Sequence, residues 1–157
     1  MDIRRATASD VDAVVAVIEN QRRQYQKHQP TFWHKAADSA ATSKAFFSKL
    51  LAESQTCFLV ATEGRQILGF LIARKFPAPP VYAPGGDTYL IDDFAVLEPH
   101  HWLGIGEALL SHATTLLHEH GAAQIVAVCA DRDLPKAEVL RRSDLTIASN
   151  WWTKPLT

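Results

Sequence analysis

The stretch "IDDFAVLEPHHWLGIGEALL", Ile91 to Leu110, decides how this chain folds. Its opening, Ile91 to Val96, is rich in strand-forming residues, and Pro99 ends the run. Gly104 and Gly106 follow, one residue apart, and then Leu109, Leu110, Ala113, Leu116 and Leu117 recur at helical spacing. A strand thus passes into a helix through a glycine turn. The first turn of a helix leaves N–H groups unpaired, and the aligned peptide dipoles make that end partly positive. Glycines let an anion approach the backbone with no Cβ in the way. Such a helix start holds phosphate without a cationic side chain. Two familiar phosphate loops do not fit. A P-loop needs Lys and then Ser or Thr after its glycines, where Glu107 and Ala108 stand; a dinucleotide fingerprint needs a third small residue where Leu109 stands. The alternatives left are a backbone anion site and a plain turn.

Working outward, "DIRRAT" reads as a short edge strand. Ser9 can cap a helix whose apolar positions are Val11, Val14, Val15 and Ile18, running to about Tyr25. A loop with Pro30, Phe32 and Trp33 leads to a second helix from Ser39 or Ser43 to Glu53, with Ala45, Phe46, Leu50 and Phe47 inward. "TCFLVATEGRQILGFLIARKF" is a hairpin turning at Glu63-Gly64-Arg65. "PAPPVYAPGG" carries four prolines and cannot join a ladder, so it is a loop before the strand that contains Asp92. Gly121 suits the end of the third helix. "AQIVAVCA" reads as a buried strand, "LPKAEVLRRSD" as a short helix with Pro135 in its first turn, and "LTIASNWWTKPL" as a last strand. The order β-α-α-β-β-β-α-β-α-β predicts an α/β fold: a single mixed, mostly antiparallel central sheet with helices on both faces.

With 157 residues, 47% hydrophobic and 21% charged, the chain is expected to form one domain, residues 1–157, with a full core. A net charge of −1 gives no field to draw it to nucleic acid or an anionic membrane, and no apolar run nears the ~20 residues of a membrane span. The start lacks a signal-peptide core. Cys57 and Cys129 read as two buried free thiols, which suits a reducing cytoplasm.

The element order and local sequence together resemble the GNAT acetyltransferase superfamily, whose members transfer an acyl group from acyl-CoA. "IDDFAVLEPHHWLGIGEALLSHATTLL" looks like the family's fourth strand, pyrophosphate loop (Q/R-x-x-G-x-G/A) and third helix. "LPKAEVLRRSDLTI" looks like the later A-x-x-L-Y-x-x-x-G-F segment, matched at Ala137 and Leu140. The resemblance implies a pantetheine arm carried by Phe94, Ala95 and Val96. It also implies a coenzyme diphosphate held at His101, Trp102, Leu103, Gly104, Ile105, Gly106 and Glu107. The sequence departs from the pattern in three places, one of them Asp144-Leu145 in place of Gly-Phe. His101 takes the Gln/Arg position, and Arg141 stands where many relatives carry a tyrosine acid; Arg141 could reach a CoA phosphate or simply solvate the short helix. The expected activity is N-acetylation of a small molecule or peptide amine by acetyl-CoA, through direct attack and without metal. The alternative is an inactive module on the same fold that binds CoA or a partner.

Acyl transfer to an amine needs a carboxylate that attracts the ammonium and accepts its proton. Asp92 and Asp93 are the candidates, and strand parity favours Asp92 because it shares a face with Phe94. A comparable acidic pair in spermidine and spermine acetyltransferases points the same way. The bland reading of either Asp is a loop cap or a pair with Arg74 or Lys75. His100 and His101 could act as base or phosphate contact, and Tyr82 or Tyr89 could supply an acid. Cys129 lacks the surroundings of an activated thiolate, and His112, His118 and His120 lack zinc-ligand spacing. Tyr25, Phe32, Trp33 and Tyr82 could wall an acceptor pocket or pack in the core. Of Trp151 and Trp152, one is expected in the core and the other over an edge or a homodimer partner.

Overall fold

A computed structural model describes residues 1–156. Five strands form one sheet in chain order: β1 (Asp2–Arg5), β2 (Cys57–Glu63), β3 (Gln66–Lys75), β4 (Asp87–Val96) and β5 (Ala122–Ala127). Neighbours among the first four are antiparallel, and β4 pairs with β5 in parallel. Four helices cover it: α1 (Val11–His28), α2 (Ser39–Leu50), α3 (Glu107–Glu119) and α4 (Leu134–Arg142). The expected mixed sheet with helices on both faces is what forms.

Each face has its own core. On one side Val14, Ile18, Phe47 and Leu50 of α1 and α2 meet Phe58, Val60, Phe70 and Ile72. On the other, Leu109, Leu110, Ala113 and Leu117 of α3, with Val139 and Leu140 of α4, meet Leu59, Leu71, Ile91 and Phe94. Strand alternation explains the division: Phe58, Val60, Phe70 and Ile72 point one way, Leu59 and Leu71 the other. Both hairpin and helix ends use glycine at positive φ, Gly64 at 58° and Gly121 at 84°.

Several local expectations are corrected. Thr7, not Ser9, opens the first helical turn: Asp10 accepts from the Thr7 N–H, and Arg4 grips the same carboxylate at 2.7 Å. α1 runs three residues past Tyr25, α2 stops before Glu53, and Ala45 faces solvent while Phe47 and Leu50 are buried. β5 is only partly covered: it is the last strand of the sheet, and Ala123, Gln124 and Val126 face solvent. The expected last strand does not form. Residues 145–156 carry no regular structure, and Trp151 and Trp152 are 83% and 92% exposed, so neither lies in the core. Alternation gave that segment strand propensity, but a strand also needs a paired neighbour. Among the described residues, no helix is long and apolar enough to cross a membrane.

Candidate active site

The site begins with an irregularity in β4. Leu71 pairs with Phe94 and Ala73 with Ile91, so β3 advances two residues while β4 advances three. Asp92 and Asp93 therefore share the place opposite Ile72, a β-bulge. Ile91 and Phe94, three apart, consequently both enter the α3-side core. The parity argument that chose Asp92 does not apply across such a bulge. The structure separates the two carboxylates in another way. Asp93 is largely covered and lies 3.5 Å from the Arg22 guanidinium of α1. Asp92 is exposed, and no salt bridge engages it among the described residues. Arg74 and Lys75, considered as partners, are used elsewhere: Arg74 stacks over Phe46, and Lys75 pairs with Asp87 at 2.7 Å. Burial and the adjacent Asp92 charge raise the pKa of Asp93, against the pull of Arg22, Arg74 and Lys136.

Arg22 itself belongs to a network under the site. Glu19, buried in α1, accepts from Arg22 at 3.1 Å, Lys35 Nζ at 3.0 Å and Ser39 Oγ at 2.8 Å, and Arg22 also donates to Ser43 Oγ. Two cations face Glu19 and Asp93 together, so this cluster is neutralised internally. It fixes α1 and α2 to the bulge. Sequence inspection missed it, because Glu19 and Arg22 are an ordinary i, i+3 pair on a helix.

Beyond the bulge β4 parts from β5. Their pairing ends at Ile91 and Ala127, and the last backbone bond is Val128 N–H to Ile91 O at 3.0 Å. On the β3 side, Leu97 N–H donates to Leu68 O. Because partners in an antiparallel ladder alternate, Phe94 and Val96 turn their N–H and C=O groups outward, into the gap. Side chains fill only part of it: Lys136 Nζ and Gln21 Nε2 both donate to Phe94 O at 3.1 Å. Phe94 N–H and both polar groups of Val96 remain directed along the open edge.

That edge leads to the glycine turn. Leu103 and Gly104 break the helix there, with Gly104 at φ 117°, ψ −72°. A Cβ on Gly104 would meet nothing within 4 Å, so its outer side is open. Gly106 serves another purpose. Its Cβ would lie 2.6 Å from the Trp102 ring, which packs edge-on to Phe94 at 4.8 Å and is 4% exposed. Trp102 thus supports α3 from beneath. His101 meets His100 edge-on at 4.2 Å, and its Nδ1 is buried without a partner among the described residues. Glu107, at the first turn of α3, is paired by Arg142 at 2.8 Å. Arg141 instead turns to Glu138 of its own helix, so Arg142 is the cation beside the turn.

Lys136, not anticipated, completes the gap. Asp133 caps α4 by accepting from the Lys136 N–H, and Tyr25 O–H donates to Asp133 at 2.7 Å, tying α1 to α4. Burial and the Asp133 charge push the Tyr25 hydroxyl well above its ordinary pKa, so it stays protonated. Cys129 is likewise raised to about 11 by burial, which keeps it a thiol. The four aromatics expected to wall a pocket divide. Tyr25 packs against Trp33, Trp33 edge-on against Phe32, and Phe32 edge-on against Trp151. Tyr82, 71% exposed, lines a separate hollow with Phe76, Thr88 and Gln124.

Comparison with known proteins agrees with this fold. The model of the Acetyltransferase (GNAT) family matches residues 15–142. A protein from Bacillus halodurans superposes with a TM-score of 0.85 at 18% identity, over 100% of both chains. An aminoglycoside antibiotic 6′-N-acetyltransferase from Acinetobacter haemolyticus gives 0.73 at 15% identity, again over 100% of both. A predicted acetyltransferase from Clostridium acetobutylicum, solved with acetyl-CoA, gives 0.70 at 18% identity, over 98% of this chain and 95% of that one. At such identities these likenesses show the fold alone. A search of curated proteins finds no match. With the family pattern spanning strands β2 to β5, the bulge, the glycine turn and α4, the chain belongs to the GNAT acetyltransferase family.

Proposed function

We propose that the protein transfers an acetyl group from acetyl-CoA to the amine of a small molecule or peptide by direct attack. The observation that carries this reading is the open edge of β4, which runs from the glycine turn to the uncompensated carboxylate of Asp92. A diphosphate on the amides of Leu103 to Glu107 would place a pantetheine arm along Phe94, Ala95 and Val96. An arm with amides of its own suits the outward groups of Val96, as a strand would. Its reactive end then lies at the bulge. Phe94 N–H is directed toward the thioester oxygen, where negative charge builds as the carbonyl is attacked. Asp92 holds the acceptor ammonium and takes its proton, so that a neutral amine attacks. Asp93, paired with Arg22, is the weaker candidate for base and supports the bulge. Arg141, turned to Glu138, is less suited to a CoA phosphate than Arg142.

The acceptor enters from the α1–α2 side, past Tyr25, Phe32 and Trp33, and Phe32 is 45% exposed there. That favours an amine carrying some apolar surface. The aminoglycoside N-acetyltransferases among the structural neighbours are named for amine acceptors, in keeping with N-acylation. Exposed Trp151 and Trp152 supply a contact for a second copy in a homodimer, and the free thiols Cys57 and Cys129 suit a reducing cytoplasm.

Arg141 in the usual tyrosine position favours a second reading, a CoA-binding module without turnover. Release of CoA thiol from acetyl-CoA with a panel of primary amines and aminoglycosides separates the two. Amine-dependent thiol release, with a matching mass increase of one acetyl on the acceptor, is the expected result. Tight CoA binding with no release across the panel would leave only the module.

A further inference from the structure

We infer that Lys136 is the acid of this site: its ammonium gives a proton to the coenzyme sulfur as the thioester C–S bond breaks. The inference rests on the acyl-CoA reading above and names the group that does the work of the tyrosine displaced by Arg141.

Lys136 is 1% exposed, the most deeply buried ionisable side chain among the described residues. An ammonium carries three donors, and one is used, on Phe94 O at 3.1 Å. The rest of its surroundings are the faces of Phe94 at 5.3 Å and Trp102 at 5.6 Å. Among the described residues no carboxylate lies within 4.0 Å of it; Asp92 and Asp93 of β4, Asp133 at the head of α4 and Cys129 after β5 act from farther off. Gln21 of α1 shares its carbonyl. A buried cation lacking an ion pair is costly, and packing alone would be served by an apolar side chain of the same length. Two donors directed at no protein acceptor point to an anion that is brought in.

Position identifies that anion. The Nζ sits on the outward edge of β4 at Phe94, between the bulge carboxylates and the segment that would carry the arm. A sulfur that contacts it is one brought in along that edge, beside Phe94 O. In the step itself the acceptor nitrogen forms its bond to the acyl carbon and the C–S electron pair moves to sulfur. Lys136 Nζ transfers a proton there. Two protons leave the acceptor nitrogen overall: one restores Lys136 by way of Asp92, and the other is released to solvent. Burial lowers the pKa of Lys136 from its ordinary value, which makes it a better donor than a free ammonium.

The test reads the thiol of bound CoA by the ultraviolet absorbance of its thiolate across pH, in wild type, Lys136→Met and Lys136→Arg. In wild type the bound thiol is expected to ionise about 1–2 pH below free CoA. Lys136→Met returns it to the free value or above and lowers turnover about tenfold or more. Lys136→Arg keeps the shifted thiol, because the charge stays. It still loses turnover, because a guanidinium does not give up its proton. A thiol that ionises alike in wild type and folded Lys136→Met overturns the proposal. If Lys136→Met does not fold, wild type decides alone: a bound thiol at or above the free value overturns it too. Calorimetry run beside these titrations distinguishes failure of the parent reading, since a wild-type protein that binds no CoA removes both.

Discussion

Replacing Asp92 by Asn lowers turnover by about a hundredfold or more, the range lost with a positioned general base, while CoA affinity stays within about twofold of wild type. The expectation follows from charge and exposure at the bulge. Of the two carboxylates there, Asp93 has its charge answered by Arg22, whereas Asp92 is exposed and meets no cation among the described residues. An arriving ammonium therefore finds one unmatched negative charge. Asn keeps the size of the side chain and removes both the charge and the basic oxygen. Asp93→Asn should behave differently. It frees Arg22 and loosens the link to Glu19, so it should cost stability as well as rate. Steady-state rates with a saturating amine and calorimetric CoA titrations check both. Unchanged turnover in Asp92→Asn across neutral pH would remove it as the base.

Gly104→Val is expected to abolish CoA binding in calorimetry, and Gly104→Ala to weaken it about tenfold or more, roughly the loss of one charge-assisted contact. Gly104 sits at φ 117°, a conformation that L side chains rarely adopt, and its Cβ would project into open space. No protein atom would be struck. Strain of about 1–3 kcal/mol accompanies such a residue, so thermal stability falls modestly while the fold persists. The added carbon then stands where a phosphate approaches the amides. Gly106→Val is a poorer probe of the same claim. Its Cβ would press on the Trp102 ring, so lost binding there would report a displaced core residue as readily as a blocked ligand.

The glycine turn was legible in the sequence because its features are local: a strand end, two glycines and an apolar helix face in one stretch. The same holds for the β2–β3 turn and for the third helix. The bulge was not legible, since it exists only in the pairing of β4 with β3, where two aspartates meet one isoleucine. Parity is a property of regular strands and fails at that point. Lys136 was missed for a related reason. On a short helix between Pro135 and Ala137 it reads as a solvated lysine, and only the parting of β4 from β5 turns it inward. Arg141 and Arg142 show how little spacing says about direction: one faces its own helix, the other the head of α3. The C-terminal segment failed in the opposite sense. Its alternating apolar residues have strand propensity, yet propensity does not supply a partner strand, and both tryptophans lie in solvent.

The central claim is that backbone amides at the start of α3, continued by the open edge of β4, hold the coenzyme. A titration of CoA into the ¹⁵N-labelled protein, followed amide by amide, tests it directly. The amides of Leu103 to Glu107, with those of Phe94 and Val96, should shift together and saturate at one affinity. If those amides stay unmoved while shifts gather elsewhere, for example around Tyr82 and Gln124, the coenzyme lies in another place and the account is contradicted.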